Sequence, residues 1–518
     1  MNCMRIALSI ALAATVLAAS FPAYAQEALP ETPTLHVTSN LVFLDVTVLD
    51  KQNKPVVTGL TKDDFVISED KQRQPIFSFE PPEAHTATDP DNPDGKSPLS
   101  IFVLDRLNSD TMTFNGDFDQ FGALYEHLHD YIAALPKQLP APAELMVMGN
   151  RNLELLQGFT RDRDELLFAL NHMPAVVPYK ALYSGFDAER FQQSMDALQQ
   201  IALQNSGTPG RKNIIWVGHG APNLPINTEN IKIHERFMRY VHDTVDLLTN
   251  QRITLFVVNP SPRLAQAHSE TGNSYSDKST NPFTGDINFA QFSRQTGGSV
   301  FYNRNDIDKE IGEAEELGSR YYTLTYRPHL ESDDGKFRRI TVTMRDPNLR
   351  AVTRTGYFNP DKNSPQNGRE QSITHVSEAV RSTLPVSGLN VVLFRVVRLV
   401  ESHSAVVTVM FPTKDLDWQP DADGKRHASV LIAAASTGGS QNVVASKMEA
   451  VSLEAKADEK DNQMARVSVK IQVPKSTKRI RVVVTGEGSN RAGSIDVSRA
   501  VLDASPEGVL PKSTAAAQ

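Results

Sequence analysis

The sequence predicts an α/β domain with a parallel sheet, inserted in or flanked by a β-sandwich, and a C-terminal all-β sandwich domain. Three observations lead to this prediction. Strand-like and helix-like segments alternate from residue 99 to about 315. Segments with period-two apolar patterns stand on both sides of that region. A run of short strand-like segments then fills most of the remaining chain.

The first 25 residues have the features of a secretory signal peptide. Arg5 supplies a positive charge, IALSIALAATVLAA is apolar, and AYA at 23–25 fits a small-x-small cleavage site. Cleavage would remove Cys3, the only cysteine, so the mature protein is expected to fold without disulfides. No later segment approaches the roughly 20 apolar residues of a membrane span. We therefore expect an exported protein, periplasmic or secreted.

Composition and periodicity divide the chain into nine regions. They are a signal peptide (1–25), a linker (26–34), an N-terminal β segment (35–80), a linker (81–98), an α/β domain (99–318), strands that pair with the N-terminal β segment (319–358), a linker (359–372), a C-terminal β-sandwich (373–505) and a disordered tail (506–518).

The two β segments around the α/β region are expected to form one sandwich. In the first, apolar residues alternate with other residues from Val42 to Val48, which indicates a strand with one buried face. In the second, YYTLTY and RRITVTM alternate in the same way. Domain termini usually lie close together at the surface, so the α/β domain is readily accommodated as an insertion.

Within the α/β region, LSIFVLD at 99–105 is a continuous apolar run, as expected for a strand buried on both faces. Thr160 is a plausible N-cap for the helix that follows it. In a parallel sheet, ligands bind beyond the carboxyl ends of the strands. Asp105 stands at one such end, so it is a candidate site residue.

Four stretches in order carry a family resemblance: LVFLDVTVLDKQNKPVVTGLTKDDFVISED, IFVLDRLNS, RKNIIWVGHG, and TGGSVFYNRNDIDKEIGEAEELGSRYYTLTYRP with the strands after it. Over residues 35–358 the chain resembles the VWFA-related domain proteins of Acidobacteria, within the von Willebrand factor type A (VWA) superfamily. The resemblance implies a parallel-sheet, Rossmann-type fold and a protein-binding module that is often exported. It implies no enzymatic activity.

The resemblance also implies a position for a metal-ion-dependent adhesion site. Members that bind Mg²⁺ use an Asp-x-Ser-x-Ser loop, which Asp105 and Ser109 match, while Leu107 replaces the first serine. The resemblance implies an aspartate after the fourth strand, but this chain has His219 at that position. Imidazole is a poor Mg²⁺ ligand. We therefore predict a degenerate site in which Asp105 and Ser109 are the remaining candidate metal ligands.

Two further features bear on that site. The sequence contains no convincing threonine ligand for this site. Thr160 is a candidate if the start of its helix lies close to Asp105. The alternative to metal binding is that Asp105 and Asn108 cap the following turn through hydrogen bonds from side chain to backbone. No cofactor is expected beyond this residual Mg²⁺ candidate.

The function predicted from these features is non-enzymatic binding or adhesion at the cell envelope, with a protein or peptide partner. The formal charge of −8 and the absence of a basic run argue against nucleic acid and anionic lipid. The expected binding rim comprises Asp105, Asn108, Ser109 and His219, on the loops after strands that end near Asp105, Asn150, Gly218 and Asn259.

Two alternatives stay open. One is an envelope hydrolase that uses His219 beside an acidic residue, although no G-x-S-x-G nucleophile motif occurs. The other is a structural surface protein whose β domains self-associate.

Overall fold

The computed structural model describes parts of the chain between residues 41 and 508. The described residues are 41–85, 97–108, 120–149, 152–174, 187–223, 231–260, 287–302, 306–328, 334–359, 368–420, 425–439, 442–455, 463–487 and 491–508. The predicted signal peptide, the first linker, Ser109, Asn150 and the end of the tail lie outside them.

The N-terminal segment forms short strands before the α/β region. These are β1 (Val42–Leu49), β2 (Phe65–Glu69), β3 (Gln72–Gln74) and β4 (Ile76–Glu80). The apolar residues that alternate along β1 are all buried in one core. The period-two pattern therefore did identify the inward face of this strand.

A six-stranded sheet follows in the α/β region. Its strands are β5 (Leu99–Asp105), β6 (Gln138–Met148), β7 (Leu153–Asp162), β8 (Lys212–Val217), β9 (Ile253–Asn259) and β10 (Val300–Tyr302). They lie in the order β10-β9-β8-β5-β6-β7. All neighbours are parallel except β6 and β7, which are antiparallel.

Helices pack on both faces of this sheet. The described helices are α1 (Gln120–Ala134), α2 (Arg163–Asn171), α3 (Asp187–Gln204), α4 (Ile231–Asn250), α5 (Phe289–Gln295) and α6 (Ile307–Ser319). Strand β5 contributes Ile101 and Val103 to the core on one face, and Phe102 and Leu104 to the core on the other. Burial on both faces explains why its sequence is continuously apolar.

The start of α2 differs from the sequence prediction. Thr160 belongs to β7, and the N-cap of the helix is Asp162, whose carboxylate accepts a hydrogen bond from the backbone N–H of Asp164 at 2.8 Å. The sequence did not predict β7, because its residues are mostly half-buried and show no clear alternation. This strand lacks a continuous buried apolar face, and it is stabilised by pairing with β6.

Four strands after the α/β region complete the sandwich. They are β11 (Tyr322–Tyr326), β12 (Phe337–Met344), β13 (Arg350–Val352) and β14 (Gly356–Phe358). Strand β1 pairs with β11, and β12 pairs with β2, both antiparallel. The two sheets, β13-β1-β11-β4 and β14-β12-β2-β3, contribute to one apolar core. The α/β region thus lies between the two halves of one sandwich in the sequence.

Partly buried charges join this sandwich to the amino end of the parallel sheet. The guanidinium of Arg252, which precedes β9, pairs with the carboxylate of Asp45 on β1 and donates to Thr323 Oγ1 at 3.0 Å. Burial alone would raise the pKa of Asp45, but Arg252 lowers it to below its ordinary value. Two regions that are distant in sequence are therefore held together by an ion pair.

The C-terminal part contains further antiparallel strands. They are β15 (Val392–Leu399), β16 (Ser404–Pro412), β17 (Gln419–Pro420), β18 (Arg426–Thr437), β19 (Val443–Ala455), β20 (Met464–Gln472), β21 (Arg479–Gly486) and β22 (Ala492–Ser498). One sheet has the order β15-β16-β20, and the other has β17-β18-β21-β22 with β19 paired to β18. A single apolar core takes residues from both sheets.

Helices also occur in this part. Helix α7 (Gly368–Ala379) covers the end of the predicted linker and the start of the predicted sandwich, and α8 (Arg499–Ala504) follows β22. The buried side chain of Arg481 donates to the carbonyls of Ser382 and Leu384. Thr383 between them hydrogen-bonds Gln200 of α3, which links this part to the α/β region.

The coarse prediction of a mixed α/β protein with one parallel sheet and several antiparallel sheets is confirmed. Within the described residues, no helix combines the length and the apolar content needed to cross a bilayer.

Candidate functional site

Asp105 lies at the point where the strand order of the parallel sheet reverses. Counted along the chain, the six strands are arranged 3-2-1-4-5-6, so the first strand, β5, and the fourth, β8, are neighbours. Chains leave such neighbours in opposite directions, and the crevice between them is the usual ligand site of open α/β sheets. Asp105 ends β5, and Gly218 and His219 follow β8. We call this side of the sheet the carboxyl edge.

The carboxylate of Asp105 is surrounded by N–H donors. Oδ1 accepts from the backbone N–H of Asn108 at 3.0 Å, and Oδ2 accepts from Trp216 Nε1 at 2.8 Å and from the backbone N–H of Gly220 at 3.0 Å. The amide nitrogen of Asn108 lies 3.1–3.2 Å from both oxygens. One carboxylate therefore ties together the turn after β5, strand β8 and the loop after β8.

Asp105 and Asn108 are buried, with 0% and 4% of their surfaces exposed. Burial raises the pKa of Asp105 above its ordinary value, while the hydrogen bonds from Trp216 and Asn108 act in the opposite direction. Buried carboxylates are stable only when their oxygens are hydrogen-bonded or paired with a charge. The donors around Asp105 meet that requirement with protein groups alone.

This arrangement does not fit a divalent cation. Mg²⁺ needs about six oxygen ligands at roughly 2 Å, but the oxygens of Asp105 face nitrogen donors that a cation would have to displace. Among the described residues, no group of three or more His, Cys, Asp or Glu side chains is placed to hold a metal ion. Ser109, the other candidate ligand, lies outside the described residues.

Thr160 is far from Asp105. In the sheet, Asp105 pairs with Met148 of β6, whereas Thr160 pairs with Ala143, five positions earlier on the same strand. At about 3.3 Å per residue, the two positions are separated by roughly 17 Å along the strand direction. Thr160 therefore cannot join Asp105 in one coordination shell.

Of the predicted rim residues that are described, His219 is the one that is partly exposed. Its backbone carbonyl accepts a hydrogen bond from the side chain of Asn259, at the end of β9, at 3.2 Å. Burial lowers the pKa of His219 below its ordinary value of 6.5, although the charge of Asp105 and a backbone hydrogen bond with Asn108 favour protonation. The imidazole is therefore mainly neutral at pH 7.

A small cleft opens beside these residues, between the ends of β8, β9 and β10 and the start of α5. It encloses about 440 Å³, counting the open space at its mouth. The lining includes the polar side chains of His219, Asn223, Asn259, Asn288 and Tyr302. We call it the amide cleft, after its three asparagines.

The sequence prediction included Asn259 and His219 but missed the rest of this cleft and Trp216. Two signals were present in the sequence. A tryptophan in a buried strand needs an acceptor for its indole N–H, which points to a nearby carboxylate such as Asp105. Asn288 and Gln291 have the spacing of a capping box, and their side chains do cap α5 reciprocally.

Comparisons with known proteins give only distant similarity. No family model matches the sequence, and no curated protein matches it. The VWA domain of SpRpn10 is 12% identical, and the match covers 42% of this chain and 94% of that one with a TM-score of 0.22. The pilus adhesin RrgA of Streptococcus pneumoniae is 10% identical, with 83% and 75% covered and a TM-score of 0.23.

A further match is proximal thread matrix protein 1 of the mussel byssus, 11% identical, with a TM-score of 0.26. The match covers 44% of this chain and 47% of that protein, so it spans about half of its length. The weak structural neighbours thus include a VWA domain and an adhesin.

Proposed function

We propose that this chain is an exported, non-enzymatic protein of the VWA type, which binds a protein or peptide partner at the carboxyl edge of its parallel sheet. The adhesion site at this edge is degenerate and works without a metal ion. The motif resemblance over residues 35–358 supports the family, and the signal-like segment at 1–25 supports export.

The observation that carries this proposal is the hydrogen bonding of Asp105. In a metal-dependent site, an ion would join the loops after β5 and β8 and leave a coordination position for the partner. Here Trp216 and Gly220 donate directly to the carboxylate, which joins the same loops. The rim is thereby preorganised, and preorganisation reduces the entropy cost of binding.

The same contacts favour binding over hydrolysis. A hydrolase that used His219 as a base would need an acidic residue to orient the imidazole. The oxygens of Asp105, the carboxylate nearest to that role, are already engaged by Asn108, Trp216 and Gly220. This supports a positioning role for Asp105 rather than membership of a catalytic pair.

Blocking the rim tests the proposal. Asn223 is exposed beside the crevice, so Asn223→Arg places a long side chain over it. Asn250 is exposed at the end of α4, on the opposite edge of the sheet, so Asn250→Arg is the matched control. We expect the wild type and Asn250→Arg to capture a partner from envelope extract, and Asn223→Arg to lose it. The result should be the same in Mg²⁺ and in EDTA. Equal capture by all three proteins would refute the proposed binding edge.

A further inference from the structure

The amide cleft presents hydrogen-bonding groups that no described residue uses. The side chain of Asn288 accepts a hydrogen bond from Gln291 through Oδ1, but within the described structure its Nδ2 makes none. The exposed side chain of Asn223 likewise makes no hydrogen bond to any described residue. The cleft therefore offers amide donors from both residues and an amide acceptor from Asn223.

The lining that the described residues give the cleft is polar but carries no formal charge. Its described lining contains no Asp, Glu, Lys or Arg. A charged ligand group would lose its hydration here without gaining a counter-charge, which is costly. Neutral groups that both donate and accept hydrogen bonds match the lining.

The floor of the cleft restricts what can enter. The ring of Phe289 is 3% exposed and lies 5.0 Å, centroid to centroid, from the ring of Trp216. Gly220 has a φ of +71°, and a Cβ there would lie 2.3 Å from the Phe289 ring. The ring of Phe289 is thus fixed beneath the loop, so it offers no open face on which a sugar could stack.

We infer that the amide cleft binds an uncharged carboxamide, the side chain of an asparagine or glutamine, presented by the protein partner. A primary carboxamide has one acceptor oxygen and two N–H donors, which complement Asn288 Nδ2 and the side chain of Asn223. This inference rests on the proposed function, because it specifies the partner group recognised at the same edge.

Selection from a library of random displayed peptides tests it. Peptides are selected on the full-length protein in EDTA. Those that bind the wild type but not the Asn223→Arg variant are kept. We expect asparagine or glutamine to be enriched at one position. Replacing that residue by aspartate or glutamate should weaken binding by roughly tenfold or more, because a charge is then buried without a partner. Asn223→Ala should weaken binding similarly, and Asn250→Ala should not.

Other outcomes separate this inference from the proposed function. Edge-binding peptides anchored by Asp or Glu, or edge-binding peptides that appear only when the selection is repeated in Mg²⁺, would overturn the carboxamide inference and leave a binding edge in place. Binding of methyl glycosides in the cleft, seen by saturation-transfer NMR and lost with Asn223→Ala, would also overturn it. If every peptide that binds the wild type binds the Asn223→Arg variant equally well, the proposed function fails together with the inference.

Discussion

The indole Nε1 of Trp216 donates a hydrogen bond to Oδ2 of Asp105 over 2.8 Å, across the boundary between β8 and β5. Both residues are fully buried. This contact joins the two strands at which the strand order of the sheet reverses. It gives the carboxylate a structural role at the place where the family resemblance implies a metal ligand.

Asp105→Asn is expected to destabilise the protein. The new amide nitrogen would face N–H donors from Trp216 and Gly220 or Asn108, so at least one buried donor would lose its acceptor. Such a loss costs about 1–3 kcal/mol, and more when the acceptor was charged. Urea unfolding should report the decrease. The control is Asp130→Asn, a largely exposed carboxylate on α1, which should change stability by less than about 0.5 kcal/mol.

Mg²⁺ is expected to leave the thermal stability of the wild-type protein unchanged. A ligand that binds only the native state raises the melting temperature in proportion to the logarithm of its concentration over Kd. At about 10 mM MgCl₂, differential scanning fluorimetry should show a shift below about 1 °C. A clear rise that disappears in Asp105→Asn would contradict the metal-free interpretation.

Glu144→Gln is expected to stabilise the protein at alkaline pH. Glu144 on β6 is buried, accepts a hydrogen bond from Gln204 Nε2 at 2.7 Å, and has no partner for Oε2. Burial raises its pKa from 4.5 to about 8. Native Glu144 therefore keeps its proton while the unfolded chain ionises, so stability falls between pH 4.5 and about pH 8. The slope is about 1.4 kcal/mol per pH unit for one group.

Glutamine cannot ionise, so the variant should lose this part of the pH dependence. Its amide can also donate to Gln204 Oε1, which is buried without a partner in the present structure. Chemical unfolding of both proteins at the two ends of the pH window measures the effect. Parallel pH profiles of the two proteins would show that the native pKa of Glu144 is not raised.

Asp45→Asn is expected to weaken the attachment of the α/β region to the N-terminal sandwich. The variant leaves Arg252, whose side chain is 25% exposed, without its carboxylate. Removing one partner of a fully buried pair costs about 3–5 kcal/mol, and the loss is smaller for a partly buried pair such as this one. Because Arg252 lowers the pKa of Asp45 below 3.8, the stability from this pair is present above that pH and is lost as the pH falls through the native pKa.

Calorimetry should show a lower melting temperature for Asp45→Asn at neutral pH and a smaller difference from wild type in acid. The surface pair of Arg163 with Asp164 is the matched comparison, because its carboxylate is 49% exposed. Asp164→Asn removes an exposed ion pair, worth at most about 1 kcal/mol. A similar effect of both substitutions would show that the Asp45 pair does not behave as a buried one.

Replacing the charges on β19 is expected to promote self-association. This 13-residue strand pairs with β18, and no described strand pairs with its other edge. Lys447 and Glu449 form an ion pair with each other on the sheet face that bears the sandwich core. Charged residues that point inward at an edge discourage pairing with another chain. The double variant with valine at both positions should assemble in a concentration-dependent way in light scattering.

Wild type should stay in one oligomeric state over the same concentrations. A double variant with threonine at both positions keeps the β propensity but adds polar groups, and it should assemble less than the valine variant. Concentration-dependent assembly of the wild type itself would instead support the self-associating structural alternative.

The sequence by itself determined the local elements whose patterns are strong. The continuous apolar run of β5 and the alternation along β1 each follow from which faces are buried, so they could be identified without coordinates. The same reasoning placed Asp105 at a strand end, and the turn-capping alternative for Asp105 and Asn108 describes the contact that the structure has.

The tertiary structure alone decided what surrounds Asp105. Trp216 lies 111 positions from it in the sequence and Gly220 lies 115 positions away, and no local pattern encodes contacts at such separations. Sheet register likewise separated Thr160 from the carboxyl edge, and the packing of α5 against β9 brought Asn288 into the cleft. Local periodicity reports which face of an element is buried, whereas the partners of a buried polar group depend on how distant strands are aligned.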